Sequence, residues 1–198
     1  MASTGRCALV DRGLRRSLLT RRQSGRSFLY VTVSDKPQHR PIVNLDFRPN
    51  VAMVTSTRKF VSDLLDSIQV DADATSRVAL ATHELLENIL KHSLDGHARL
   101  DVLLDETQDG YKIAVRLCNR ADAARIDDVR RRVESLARAE DPMPVYLQLM
   151  LESAEREDGS GLGLARIRAE ADMELSCDVD GDLVTIVAST DACREQSP

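Results

Sequence analysis

Two pairs of alternating apolar and polar runs constrain this chain more than any other feature. Ala98 to Asp105 (ARLDVLLD) and Tyr111 to Cys118 (YKIAVRLC) are separated by a polar stretch that closes with Asp109-Gly110, and Glu174 to Val179 and Leu183 to Ser189 flank Asp180-Gly181. Alternation with a period of two buries one face of a strand, and Asp-Gly turns join neighbours as antiparallel hairpins. A sheet built this way has one apolar face that must be covered. The segments between the hairpins supply the cover. Val54, Phe60, Val61, Leu64, Leu65 and Ile68 recur at three- and four-residue spacing, which predicts a helix over about 51–67 capped by Asn50. A second helix is expected over about 73–93, ending before Asp95-Gly96, and others over about 127–139, 145–156 and 165–171. Pro41 to Phe47 alternates like a strand, and Ser27 to Val33 (SFLYVTV) reads as another. The expected fold is an α/β (α+β) two-layer sandwich, a mixed, mainly antiparallel sheet with helices on one face.

With 198 residues, 42% of them hydrophobic, the chain can bury one ordinary core and carry an extension, but not form two large domains. The extension shows in the charge. Residues 1–26 hold seven arginines and one acid, leaving 20 basic and 31 acidic residues in 27–198. We expect a basic extension at 1–40, a domain at 41–190 and a short tail at 191–198. Such an extension reads as a mobile, solvated leader or an upstream translation start, or as a tail that binds an anionic surface. Aromatics are scarce and Trp is absent, so stacking platforms for nucleic acid are missing. No apolar run approaches the roughly 20 residues that cross a bilayer. Nucleic acid and membrane are therefore not expected partners. The cysteines, Cys7, Cys118, Cys177 and Cys193, form no C-x-x-C pair. Cys118 and Cys177 read as small core residues, and a reducing, cytoplasmic setting follows.

The second helix contains THELLENILKHS. At about 100° per residue, Asn88 lies about 40° from Glu84, and Lys91 about 20° from it on the other side. The three share a polar stripe beside the apolar stripe of Val78, Leu85 and Ile89. A carboxylate, an amide oxygen and an ammonium so aligned can accept a proton, ligate a hard metal and contact phosphate, or simply form a solvated face. Further on, Gly159-Ser160-Gly161-Leu162-Gly163-Leu164 precedes a helix. Glycines let backbone N–H groups approach an anion, and a helix start adds partial positive charge, although such a string can also be a tight connection. No Lys-Ser/Thr follows, so it is not a Walker loop.

In this order and separation the two elements resemble the N-box and second Gly-box of the GHKL (Bergerat) ATPases. The resemblance covers about residues 42–190 and is nearest to the anti-sigma-factor serine/threonine kinases, in particular their SiaB-like branch. It implies ATP and Mg²⁺ as cofactors, Glu84 as catalytic base, Asn88 as Mg²⁺ ligand, and Lys91 at the phosphates. It further implies cofactor contacts from His92, from Asn119 at the adenine, and from Gly159, Gly161, Leu162, Gly163 and Leu164. The partners it implies are a STAS-like or SiaC-like anti-anti-sigma protein and a sigma factor, and a homodimer is consistent with the family. His83-Glu84-Leu85 superficially matches a phosphoacceptor box, but Leu86 and Glu87 do not continue it, and H-E-x-x-H is not completed. The chain departs from the family at the first Gly-box. Where D-x-G-x-G is expected, it has Asn119-Arg120-Ala121-Asp122-Ala123. An Asn oxygen still accepts a hydrogen bond from adenine but lacks charge, and two methyl groups replace the glycine gaps. A non-catalytic binding module that sequesters a regulator is therefore the alternative. Residues 120–158 form the expected lid, made locally basic by Arg125, Arg130, Arg131, Arg132 and Arg138.

Overall fold

The computed structural model describes residues 16–17, 32–33, 41–154 and 161–195. The chain divides into two compact units, 1–39 and 40–198. In the first, β1 (Arg16–Ser17) pairs antiparallel with β2 (Thr32–Val33). Residues 27–31 of the expected strand lie outside the described residues.

In the second unit the order is β3 (Pro41–Phe47), α1 (Val51–Ser67), α2 (Ala72–His92), β4 (Ala98–Glu106), β5 (Tyr111–Arg120), α3 (Ala123–Arg138), α4 (Met143–Ala154), α5 (Leu162–Ala169), β6 (Glu174–Asp180) and β7 (Leu183–Ala192). Both expected hairpins form. The strands lie in the order β3-β4-β5-β7-β6, and every pairing among them is antiparallel. Register aligns the apolar residues in rows across the sheet. Val43, Val102, Val115, Ala188 and Leu175 make one row; Leu45, Leu100, Leu117, Ile186 and Cys177 make the next. Both rows belong to the core beneath the helices. The row between them, Asn44, Asp101, Arg116, Val187 and Ser176, takes the opposite face because strand side chains alternate.

Cys118 shares that opposite face, since it pairs in register with Arg99 and Thr185; its Sγ lies 3.2 Å from the Thr185 hydroxyl instead of in the core. Alternation decides this: the residue after core-facing Leu117 must point away. Cys177 does pack against the core, and burial raises its thiol pKa.

Asp101 is the conspicuous polar residue of the opposite face, fully buried among its partners. Arg116 holds Oδ2 through Nε and Nη2 at 2.9 and 2.7 Å, and the Asn44 amide donates to Oδ1. Removing the carboxylate strands those donors on the two strands that flank it. Asp101→Ala should lower stability by about 1–3 kcal/mol, read as a shift in the urea midpoint. An unchanged midpoint would show that the cluster contributes nothing net.

The helices meet the sheet through the stripes read from their periodicity. Val54, Val61 and Leu65 of α1, and Val78, Leu85 and Ile89 of α2, are all buried. Asn50 caps α1, its side chain accepting from Met53 N at 3.1 Å, and Asp71 caps α2 from Ala74 N at 2.8 Å. Asp71 also ties the helix start to the strand end, because Cys193 N donates to its other oxygen at 2.7 Å, and Glu195 N reaches Gln69 O at 2.8 Å. Thus residues 193–195 are joined to the α1–α2 turn. Helix α3 starts at Ala123, earlier than its apolar pattern suggests, because Asp122 caps it by accepting from Arg125 N at 2.9 Å. Among the described residues no helix is long and apolar enough to cross a membrane.

Candidate functional site

Helix α2 runs a wide buried face against its neighbours, and that burial reaches Glu84, which is only 7% exposed. A buried carboxylate needs a partner. It has one in Arg166 of α5, whose Nη1 donates to Oε1 at 2.8 Å. The other oxygen faces the start of α5: a Cβ placed on Gly163 would stand 2.9 Å from Glu84 Oε2 and 3.6 Å from both terminal atoms of Asn88. Residue 163, 75 or more positions further along the sequence, therefore comes up against residues 84 and 88 at one point. Glycine at 163 is what allows the helix start to approach α2 so closely. Gly163→Ala should lower stability by about 1–2 kcal/mol, and any affinity for Mg-ATP by about tenfold or more. Thermal melts and calorimetric titration check both.

Gly161 caps α5 with φ at 102°, a conformation that disfavours any side chain, and no side-chain cap hydrogen bond is made. Leu164 is buried and Leu162 packs against the core, which anchors the helix start. Gly159 and Ser160 lie outside the described residues.

Asn88 opens onto a cavity of about 70 Å³. Its floor is apolar, from Leu117 on β5 and Val184 and Ile186 on β7, and its rim carries Asn88, Asn119 and Arg132. The Asn88 amide nitrogen is buried without a hydrogen-bond partner, as is Nδ1 of His92, also in the lining. Burial lowers the His92 pKa, followed by the nearby Arg125 charge. A neutral imidazole beside a cationic rim is the result. Ala121, where the resemblance expects a glycine, is buried and lines the cavity wall. Asp122 is committed to capping α3, and the Asn119 amide nitrogen donates to Arg120 O at 3.0 Å.

Of the expected site residues, the fold gathers Glu84, Asn88, His92, Asn119, Gly161, Gly163 and Leu164 around this hollow and its α5 edge. Lys91 is not among its lining residues. Its ammonium pairs with Glu87 at 3.2 Å on the solvent side, because about 60° of helix rotation separates it from Asn88. Of the lid arginines, Arg125 and Arg132 line the cavity, while Arg130 and Arg138 pair along α3 with Asp127 and Glu134. Arg132 is held by Asp128 at 2.9 Å, and its guanidinium fills the space that a Cβ on Gly161 would take. Sequence reasoning did not single out Arg166 or Glu170. Glu170 accepts from Arg166 Nε and from the Tyr146 hydroxyl, each at 2.7 Å; the tyrosine bond first and Arg166 second hold its carboxyl below the ordinary range. No spacing signal links residue 84 to residues 166 and 170, so only folding could reveal the set.

No curated protein matches the chain. In fold it is similar to a chain of the crystal structure of the SiaB–SiaC complex from Pseudomonas aeruginosa, with a TM-score of 0.58 and 14% identity over 77% of this chain and 92% of that one. A family model, the histidine kinase-like ATPase domain, matches residues 47–188. That span contains the Glu84–Asn88 helix face, the cavity and the glycine-started α5, and the chain therefore belongs to the histidine kinase-like ATPase family.

Proposed function

We propose that this is a cytoplasmic protein serine/threonine kinase of the partner-switching type, which transfers the ATP γ-phosphoryl group to a small SiaC-like or STAS-like partner. The observation that carries the reading is the meeting of Gly163 with Glu84 and Asn88. It sets a helix start against a carboxylate and an unpartnered buried amide at the mouth of an apolar-floored cavity. Those residues fit a magnesium nucleotide. Among the described residues no cluster of three or more His, Cys, Asp or Glu could hold a metal by itself, and Mg²⁺ characteristically relies on one or two protein groups plus substrate phosphates. Asn88 would be its protein ligand, the backbone at Gly161 and Gly163 would face phosphate, and Asn119 would accept from the adenine amino group. Bound Mg-ATP would supply the phosphoryl group, whose phosphorus bonds to the substrate hydroxyl oxygen while ADP departs with the electrons of the broken bond. Glu84 Oε2 would orient that hydroxyl and take its proton.

A second reading, a non-catalytic module that sequesters its partner, draws support from the size of the cavity. About 70 Å³ is small beside the roughly 300–1,000 Å³ of ordinary ligand sites, and Arg132 crowds its Gly161 edge. Titration with Mg-ATP by calorimetry separates the two. Heat of binding, followed by radiolabel transfer from ATP to a SiaC-like protein of the same cell, is expected for the kinase. Neither heat nor a thermal shift at millimolar nucleotide would leave the sequestering module.

A further inference from the structure

Glu84 does not hold its orientation alone. Its Oε1 receives Arg166 Nη1 at 2.8 Å, and a different edge of the same guanidinium, Nε, donates to Glu170 Oε2 at 2.7 Å. The other Glu170 oxygen accepts from the Tyr146 hydroxyl at 2.7 Å. The chain of contacts therefore runs from α2 through α5 to α4. Tyr146 is the buried residue of α4, with Val145 and Leu149 partly buried against the core beside it, whereas Leu147, Met150 and Leu151 on the same helix are exposed. The most deeply buried side chain of α4 is thus also the tether to Glu170. At the other end, the Glu84 side chain is only 9% exposed, so its direction is set by what it touches and not by solvent. A planar guanidinium can grip two carboxylates at fixed angles, which a flexible ammonium cannot do as well.

We propose that Arg166 is a positioning residue for Glu84: by engaging Oε1 it turns Oε2 toward Gly163 and Asn88, and through Glu170 and Tyr146 it makes that alignment depend on the seating of α4. This rests on the reading of Glu84 as proton acceptor in a kinase. A displaced α4 releases Glu170, lets Arg166 swing, and leaves Glu84 free to rotate while the nucleotide-facing residues stay in place. Alignment errors of about 1 Å cost as much as 100-fold in rate. Loss of Arg166 should accordingly act on turnover and spare ATP affinity, since Arg166 does not line the cavity.

The test compares wild type with Arg166→Gln, Arg166→Lys and Tyr146→Phe in the full chain. Calorimetry with Mg-ATP, kcat and KM for transfer to a SiaC-like protein, and hydrogen exchange of α4 are measured on each. Arg166→Gln is expected to lower kcat roughly 10- to 100-fold with ATP affinity within about threefold. Arg166→Lys should recover part of that loss, and α4 amides should exchange about tenfold faster in Arg166→Gln and Tyr146→Phe. Unchanged kcat in Arg166→Gln, or equal loss of ATP affinity and kcat, overturns the positioning role while leaving the kinase reading intact. So does a failure of Arg166→Gln to alter α4 exchange. A wild type that neither binds ATP nor transfers phosphate overturns both, and is recognised because the unmodified chain is itself silent.

Discussion

Replacing Glu84 by alanine should lower phosphoryl transfer by roughly 10²–10⁴-fold, the usual worth of a positioned proton acceptor, while leaving Mg-ATP affinity nearly unchanged. The expectation follows from where each oxygen points. Oε2 faces Gly163 and Oε1 is taken by Arg166, whereas the cavity lining includes Asn88 and not Glu84. The substitution should not unfold the domain. Arg166 keeps its bond to Glu170 and is 42% exposed in its side chain, so it can recover solvent contact, and the net cost should stay near 1 kcal/mol. Asn88→Ala should behave differently. It removes the amide that adjoins both Gly163 and the cavity, so it should weaken Mg-ATP binding about tenfold or more and lower transfer with it. Calorimetry and single-turnover transfer on the two variants separate proton transfer from metal binding. Full transfer in Glu84→Ala would remove the carboxylate from the chemistry.

The largest stability effect should come from the residue next to Glu84. Leu85 is fully buried in the core under α2, and truncation to alanine should cost about 2–5 kcal/mol. Against the 5–15 kcal/mol typical of a domain this is a large fraction, and it should show as a lowered urea midpoint with an unchanged slope. Leu151, 72% exposed on α4, provides the contrast. Its replacement by alanine should move stability by less than about 0.5 kcal/mol. Comparable losses at both positions would mean that α2 is not seated as its burial indicates.

Much of the framework was legible because it repeats at short range. Alternation and Asp-Gly turns located both hairpins, and three- and four-residue spacing located α1 and α2 together with their buried stripes. Local chemistry also marked the cap Asn50, whose acceptor sits three residues from its donor. The local reading was incomplete where one residue serves two patterns. Asp122 looked like part of a degraded Gly-box, yet it caps α3 and so sets the helix start. Lys91 shares a stripe with Glu84 by angle, and its ammonium also pairs with Glu87 one turn earlier. Cys118 looked like core because its strand is apolar, although its neighbour Leu117 had already taken the core-facing direction.

The sequence by itself determined the strands, the helices, the two-layer class and the paired motifs that place the chain in its family, because each depends on interactions within a few residues. Only the tertiary structure decided that Gly163 touches Glu84 and Asn88, that Arg132 crowds Gly161, that Asp101 is buried in a three-strand cluster, and that Arg166 ties Glu84 to Glu170. These contacts join residues far apart along the chain. Their partners are chosen by how α2, α3 and α5 pack over the sheet, and no local periodicity encodes that choice.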